Sequence, residues 1–333
     1  MAADKLIERV LKTTKNYDML KPGDTVLVAV SGGPDSVFLL HTLNSLKRKL
    51  GIKRLIVCNM DHGLRGKESR DDSLFTKKIA AELGVDFIHK KVDLKSAAKG
   101  KLSTEELARE ARYSFFSEAA KKTGANVLAT GHTLDDQAET ILMRLVKGSA
   151  LKGIVGILPV RESEGLRIIR PILEIEKQVI KDYLDSKGIS YRIDHTNLEP
   201  IYFRNIVRNE IIPFLEKYNV RFKRVLFNLA EHLREDFEFI EEERLKAQRF
   251  ITGKDGGAVE IRLKDLVIQP KALQKEILRD SLDRIGGEVK RLTFRHWKEM
   301  ENFIKVKRTG DRLDLPGGIR ITRSADRLTF HKI

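Results

Sequence analysis

Apolar runs and amphipathic stretches alternate along the first two thirds of the chain. Over residues 4–20, Leu6, Ile7, Val10 and Leu11 share one face, and the spacing predicts an amphipathic helix. The turn Pro22-Gly23-Asp24 follows. The run Thr25-Val26-Leu27-Val28-Ala29-Val30 is short, apolar and rich in valine, which predicts a buried strand. Val37-Phe38-Leu39-Leu40-His41-Thr42-Leu43 has the spacing of a buried helix, ending near Gly51. Leu55-Ile56-Val57-Cys58-Asn59-Met60 is a second buried strand. Strand, helix, strand at this length is a βαβ unit, which implies a parallel sheet and a right-handed crossover.

The alternation then continues. A helix is expected over about 70–83, stopped at Gly84, and a third strand over 85–92. Lysine-rich 95–101 reads as a solvated loop. Ser103 and Glu106 fit a capping box that opens a helix reaching Ala119. A fourth strand is expected over 126–130, a small-residue linker over 147–156, a short strand over 168–173 and a helix over 175–187. Near Tyr218 the texture changes. Residues 228–250 read as one long charged helix, and Gly253 to Gly257 as a loop opening a smaller domain. A helix over 271–285 and a terminal hairpin over 313–321 and 327–330 complete the pattern. The expected division is 1–216, a helical linker 217–250, and a smaller α+β domain 251–333. No internal repeat or low-complexity tract interrupts it.

Composition narrows the class. At 333 residues two domains are the better prior. No apolar stretch approaches 18 residues, so no transmembrane helix is expected, and the first residues lack a signal-peptide core. The single cysteine, Cys58, excludes an internal disulfide and a Cys-only metal or iron–sulfur site. Lying in an apolar run, it reads as a packed strand residue. A cytoplasmic protein is expected. The net charge of +15 suggests a polyanion partner, nucleic acid first, against the plainer reading of a generally basic proteome. Residues 217–333 carry 27 Lys and Arg against 19 Asp and Glu, so the excess is denser there.

Candidate chemistry centres on Ser31-Gly32-Gly33-Pro34-Asp35-Ser36, between the first strand and its helix. A glycine-rich turn into a helix N-terminus aims backbone N–H groups at one spot and makes an anion site, phosphate first. Ser31 and Ser36 add hydroxyls. Asp35 makes sense beside phosphates mainly with Mg²⁺ between them. The lysine of the common P-loop is missing, and so is the dinucleotide fingerprint. A glycine turn without a ligand is the plain alternative.

A second crowded stretch follows the fourth strand: His132, Asp135, Asp136 and Glu139 at the start of a helix. Acids there can simply cap the helix. Asp136 and Glu139, three apart, also share a face and could hold Mg²⁺ or an ammonium group. Arg109 and Arg112 are three apart on the preceding helix and so lie near each other there; a solvated charged face is the plain reading. Tyr202, Phe203, Arg204 and Arg208 suit a strand or a phosphate contact. Residues 290–308 hold seven Lys and Arg, two acids and the only tryptophan, Trp297. Basic residues interleaved with aromatics suit RNA; an amphipathic helix with Trp297 in the core is the alternative.

These stretches occur in order with Asp61-His62-Gly63-Leu64-Arg65, Ala108-Arg109-Glu110-Ala111-Arg112-Tyr113 and Asp194-His195-Thr196-Asn197. S-G-G-x-D-S after a strand resembles the pyrophosphate loop of the N-type ATP pyrophosphatases. The whole set resembles the tRNA(Ile)-lysidine synthetases over residues 21 to about 215, and more loosely beyond. The resemblance implies an α/β fold with a parallel-sheet, Rossmann-like, adenine nucleotide alpha hydrolase-like domain, then a long helix and a smaller α+β domain. It implies joining of lysine to carbon-2 of the wobble cytidine of tRNA(Ile) with a CAU anticodon. ATP is cleaved to AMP and pyrophosphate through an adenylated cytidine.

Ser31, Gly32, Gly33, Pro34, Asp35 and Ser36 would hold ATP, with Met60 and Gly131 framing adenine. Asp35 with Asp135 or Asp136 would bind Mg²⁺. Arg112 and His132 would stabilise developing charge, with Asp35 and Asp136 also in the catalytic set. Asp136, Glu139 and Arg204 would meet lysine. Lys290, Arg291, Arg295, Lys298, Lys305, Lys307 and Arg308 would contact tRNA. Larger family members carry a further C-terminal domain, for which no counterpart is expected here. A homodimer and no membrane association are also expected. A tRNA thiolase of the superfamily would need cysteines that Cys58 alone cannot supply. An ammonia-dependent synthetase of the same fold would not need the basic C-terminal part. A non-catalytic RNA-binding protein would not need Asp35, Asp136 and Glu139.

Overall fold

The computed structural model describes residues 2–61, 67–92, 104–163, 165–192, 203–253, 257–306 and 309–333. The chain divides into two compact units, Met1–Glu231 and His232–Ile333. The expected features at His62 to Arg65, Lys95 to Lys101, Ser103, Asp194 to Asn197 and Tyr202 lie outside the described residues.

The first unit is built on a six-stranded sheet in the order β3-β2-β1-β4-β6-β5. The strands are β1 (Thr25–Ala29), β2 (Arg54–Asp61), β3 (Asp86–Lys91), β4 (Val127–Ala129), β5 (Val160–Ser163) and β6 (Leu166–Ile169). All pairs are parallel except β5 with β6, which form an antiparallel edge hairpin. β1 is central because Val26, Leu27 and Val28 are all fully buried, as a strand covered on both faces requires. The period of two divides its side chains. Val26 and Val28 join one apolar layer with Phe38, Leu40 and Leu43, while Leu27 joins the other with Ile56, Leu128, Phe115 and Phe116.

Helices supply those layers: α1 (Ala2–Asn16), α2 (Pro34–Leu46), α3 (Lys67–Glu82), α4 (Thr104–Thr123), α5 (Leu134–Val146), α6 (Leu151–Ile154) and α7 (Lys177–Ser186). The chain winds outward from β1 through β2 to β3, then returns to β4 on the other side of β1. Such a reversal opens a crevice beyond the carboxyl ends of the two strands, where open α/β sheets bind ligands. Ser31 to Ser36 leave β1 there, and Gly131-His132 leave β4 beside them.

Three expectations change. Residues 147–156 are not a linker: α6 forms within them and is tied down by side chains of α5. Gln137 Nε2 donates to Val155 O at 3.2 Å, Ile157 N donates to Gln137 Oε1 at 2.6 Å, and Arg144 Nη1 donates to Gly156 O at 2.9 Å. Arg204 and Arg208 lie on a helix rather than a strand: α8 (Phe203–Ile206), a π-helical turn Val207–Ile211, and α9 (Ile212–Glu216). Pro213 lacks the N–H that an α-helix needs at that position and crowds the carbonyl four residues back, so the helix widens just before it. The hairpin strand β5 was unforeseen because Val160-Arg161-Glu162-Ser163 is polar and half-exposed, as an edge strand can be.

α10 (Phe222–Ala247) packs Leu226, Phe227 and Ala230 within the first unit and Ala247 within the second. The second unit carries α11 (Leu263–Val267), α12 (Lys271–Arg284) and α13 (Phe294–Val306) with an antiparallel sheet β7-β8-β11-β10-β9. These strands are β7 (Ile251–Gly253), β8 (Val259–Arg262), β9 (Arg312–Leu315), β10 (Ile319–Arg323) and β11 (Arg327–Lys332). The expected terminal hairpin is therefore part of a five-stranded sheet. Val259, Ile261, Ile319, Ile321, Leu328 and Phe330 alternate inward against Ile277, Leu278 and Phe303. Trp297 is half-buried at the rim of this core, under the Arg279 guanidinium at 5.4 Å.

One core position carries an avoidable cost. Thr42 on α2 is fully buried, and its hydroxyl has no hydrogen-bond partner. An unpaired buried hydroxyl costs about 1–3 kcal/mol. Thr42→Val keeps the shape and removes the polar atom. It is expected to raise Tm with catalysis unchanged; a lowered Tm in thermal unfolding would show that the hydroxyl is satisfied.

Candidate active site

The loop from Ser31 to Ser36 is held by its own hydroxyls. Ser36 Oγ donates to Gly33 O at 2.9 Å and accepts from Ser31 N at 3.2 Å, and the two serine oxygens lie 3.3 Å apart. Gly32 has φ +92°, which a side chain rarely tolerates. Gly33 caps α2, with Pro34 in the first turn. No side chain caps that turn, so its first N–H groups lack an intrahelical partner. Gly131 is needed for close approach rather than conformation: a Cβ there would meet Asp35 C and Ser36 N at 3.3 Å. The loop after β4 thus rests directly on the phosphate loop. Met60 is half-buried near the end of β2.

Asp35, Asp136 and Glu139 converge on three cations. Lys177 Nζ donates to Asp136 Oδ1 at 2.9 Å and lies 4.0 Å from Asp35 Oδ2. Arg204 Nε donates to Glu139 Oε2 at 2.7 Å and its Nη2 to Asp136 Oδ1 at 3.2 Å. Arg208 grips both oxygens of Glu139, at 2.6 and 3.0 Å. Glu139 is fully buried. Asp136 also completes a capping box with Thr133, so helix capping and charge pairing are both present in one residue. Asp135 turns elsewhere, accepting from Lys177 N at 2.8 Å and pairing with Lys223 at 2.9 Å.

Electrostatics separate the two central acids. Burial pushes the Asp35 carboxyl up to about 7, with Lys177 opposing and Asp136 and Asp135 adding to the rise. Its Oδ1 is buried without a hydrogen-bond partner. Burial would raise Asp136 too, but Lys177 and the other cations around it outweigh burial and hold it below the usual carboxylate range. Burial brings His132 down to about 4 against the pull of Asp136, and Arg170, Arg204 and Arg109 push the same way. His132 is therefore neutral at pH 7, with Nδ1 2.9 Å from Thr130 Oγ1. Burial drives the Cys58 thiol up to about 12, which leaves it inert.

The fold thus brings Ser31 to Ser36, Asp35, Gly131, His132, Asp136, Glu139 and Arg204 to one sheet edge. Arg112 lies on α4 with an exposed side chain. Three contributors were not singled out for this cluster from the sequence: Lys177, Arg208 and Lys223. Lys177 sits at the start of an ordinary amphipathic helix, where nothing in the local pattern marks it. The basic residues expected at tRNA belong to the second unit. Arg291 pairs with Glu288 at 2.5 Å, Arg295 with Glu299 at 2.8 Å and Lys298 with Glu301 at 2.9 Å. Lys305 is exposed near the end of α13, while Lys307, Arg308 and the Lys290 side chain lie outside the described residues.

The family model of the PP-loop domain matches residues 3–215. The chain is 35% identical over 324 residues to the tRNA(Ile)-lysidine synthase of Clostridioides difficile strain 630, covering 96% of this chain and 69% of that one. It is 34% identical to the tRNA(Ile)-lysidine synthase of Geobacter sulfurreducens, covering 98% and 69%. Among solved structures, the U34-tRNA thiolase NcsA of Methanococcus maripaludis, with its 4Fe-4S cluster, superimposes with a TM-score of 0.60 at 20% identity. That match covers 70% of this chain and 79% of NcsA, and is a likeness of fold.

Asp35 generates a pH-dependent prediction. Its pKa is raised on folding, so the folded protein holds the extra proton between about pH 4 and pH 7, and stability falls as pH rises through that window. Asp35→Asn removes the charged form. The variant is expected to exceed the wild type in Tm at pH 8 by an amount equivalent to about 1–3 kcal/mol, and to match it near pH 4. Thermal melts without nucleotide at both pH values decide it; an equal difference at the two would show that the carboxylate is not strained.

Proposed function

The chain belongs to the PP-loop family and, within it, to the tRNA(Ile)-lysidine synthases, and on that footing we propose that it joins lysine to carbon-2 of the wobble cytidine of a tRNA(Ile) with a CAU anticodon. ATP is cleaved to AMP and pyrophosphate, and the product, lysidine, reads AUA in place of AUG. The observation that carries the reading is the pair Asp35 and Asp136 set around the Lys177 ammonium, with Asp35 itself in the glycine-rich loop after β1.

The cytidine oxygen-2 attacks the α-phosphorus of ATP, and pyrophosphate leaves. Ser31, Gly32, Gly33 and Ser36 hold the pyrophosphate through N–H and O–H donors, and Met60 and Gly131 frame the adenine. The lysine ε-amine, deprotonated, then attacks carbon-2, and AMP leaves with the oxygen. Arg112 supplies positive charge near the phosphoryl group. His132, neutral at pH 7, acts as a hydrogen-bonding group rather than a cation. Asp136 would meet the incoming ammonium in place of Lys177, while Glu139, whose oxygens are held by Arg204 and Arg208, would act through Arg204, which offers its remaining N–H groups to the lysine carboxylate.

Mg²⁺ fits this donor set. Asp35 has a buried oxygen without a partner, and one cation, Lys177, already lies between Asp35 and Asp136. Mg²⁺ is commonly bound by one or two carboxylates together with substrate phosphates. Asp35 and Asp136 would hold it, rather than Asp135, which faces Lys223. When bound it would offset charge on the phosphates.

Residues 1–216 would carry this chemistry. Residues 217–250 would act as a helical linker. Residues 251–333 would grip tRNA through Lys290, Arg291, Arg295, Lys298, Lys305, Lys307 and Arg308. No helix among the described residues is long and apolar enough to cross a membrane. We place the reaction in the cytoplasm.

Incubation with ATP, radiolabelled lysine and bulk tRNA tests the reading. Acid-precipitable label that depends on ATP and on a CAU-anticodon tRNA is expected; its absence removes the proposal. Arg204→Lys keeps the charge but loses the guanidinium fork. It is expected to raise the KM for lysine by about 10-fold or more, the equivalent of one charge-assisted hydrogen bond, with the KM for ATP little changed. Equal loss for both substrates would make Arg204 a structural partner of Glu139 alone.

A further inference from the structure

A second concave surface lies beside the reaction centre. The N-terminal half of α4 and the β5–β6 hairpin enclose a cleft of about 280 Å³ lined by Arg109, Glu110, Tyr113, Arg161 and Ser163. It continues into a larger depression of about 590 Å³ that reaches Ser117 and Lys121. All of these residues belong to the first unit.

The cleft gathers positive charge around one aromatic ring. The Arg109 guanidinium lies 5.0 Å from the centre of the Tyr113 ring. Arg170 is only 4% exposed; its Nη1 donates to Leu158 O, and its Nε is buried without a hydrogen-bond partner. Burial lowers the Arg170 pKa, and Arg161 and Arg109 lower it further. Arg144, half-buried next to this group, is lowered by burial and then by Arg109. Neither Arg109 nor Arg161 has a carboxylate partner among the described residues. Arg109 and Arg161 line one cleft with Glu110 as the single acid of that lining, which leaves a net positive charge that a bound anion would offset. The hairpin side of the cleft leads to the reaction centre: Arg161 pairs with Ile168, the next residue Ile169 accepts from Thr130 N at 3.0 Å, and Thr130 Oγ1 lies 2.9 Å from His132 Nδ1.

We propose that this cleft is a second RNA subsite, which holds the phosphodiester of a nucleotide flanking the target cytidine on Arg109 and Arg161, with the nucleotide's base against Tyr113. The proposal rests on the lysidine-forming function proposed for this chain. The chemistry suits single-stranded RNA, whose unstacked bases lie on tyrosine rings and arginine planes while their phosphates meet guanidinium groups. A nucleotide fixed here aligns the target base with His132 and the phosphate loop independently of contacts made by the second unit. The sequence showed the Arg109–Arg112 spacing and read Arg170 within a short strand; Arg161 comes from the edge strand β5, which the sequence hid.

The test uses the full-length protein and a 17-nucleotide anticodon stem-loop with a CAU loop, without lysine. Binding is measured at several salt concentrations for wild type and Arg109→Ala/Arg161→Ala. The slope of log K against log salt is expected to flatten by roughly 0.7, for the one single-strand phosphate that the variant no longer neutralises. A neutral methylphosphonate at one linkage flanking the target cytidine is expected to weaken binding by wild type and to leave the double variant unaffected. ATP affinity, unchanged in the variant, reports that the fold is intact. An unchanged slope, or a methylphosphonate penalty equal in both proteins, overturns the proposal. Stem-loop binding that passes these tests without lysine transfer would instead remove the reaction and leave the subsite standing.

Discussion

The first unit depends on how Glu139 is neutralised. This carboxylate is fully buried at the inner face of α5, and its oxygens take three hydrogen bonds from Arg204 and Arg208. A buried charge without such partners costs several kcal/mol, so α5 can pack only if the segment after Phe203 folds against it. Arg204 also reaches Asp136, and Asp136 reaches Lys177 at the start of α7. One carboxylate therefore commits three segments, separated by up to about seventy residues, to a single arrangement. The π-helical turn at Val207–Ile211 lies within that arrangement, and Arg204 and Arg208 on either side of its start both point at Glu139.

That rigidity sets the state of Asp35. Lys177 is shared unequally: it bonds Asp136 at 2.9 Å and stands 4.0 Å from Asp35. Asp136 is satisfied three ways, by Lys177, Arg204 and Thr133, whereas Asp35 keeps a buried oxygen without a partner. Two adjacent acids thus have opposite environments, one held ionised and one pushed up to about 7 by burial. Groups left in such strain mark places where a ligand completes the site, because their cost is offset only when a cation arrives. In the proposed reaction that cation is Mg²⁺ carried with ATP.

The sequence was most informative where chemistry and backbone coincide. Ser31 to Ser36 combine a valine-rich strand, two glycines and a helix start, and each of these constrains the local chain by itself. The capping pattern at Thr133 to Asp136 is equally local. Lys177 could not be found this way, because its role is defined by residues 35 and 136, far off in the chain. Arg208 read as a phosphate contact for the same reason: its spacing from Arg204 is visible, but its carboxylate partner is not. Residues 147–156 looked like a linker because three glycines, a serine and an alanine fall among them. They are ordered by Gln137 and Arg144, whose side chains bond the backbone across from α5. The strands β5 and β7 escaped because short, half-exposed strands lack a period long enough to read.

Charge was legible in amount but not in kind. The excess is denser after residue 217, which points to that segment as the polyanion surface. In the fold, much of that charge is already engaged: Arg291, Arg295 and Lys298 each face a glutamate three or four residues away on the surface. Such pairs are worth little to the protein, yet an arriving phosphate must compete with the carboxylate already there. Salt-dependent affinity counts phosphates neutralised, not formal charges carried. By that measure the cleft of Arg109 and Arg161, with no acid paired to either among the described residues, would neutralise more phosphate per charge than the face of α13. A long-range field from the second unit would favour encounter with tRNA, while the few uncompensated arginines beside His132 would fix where the anticodon loop comes to rest.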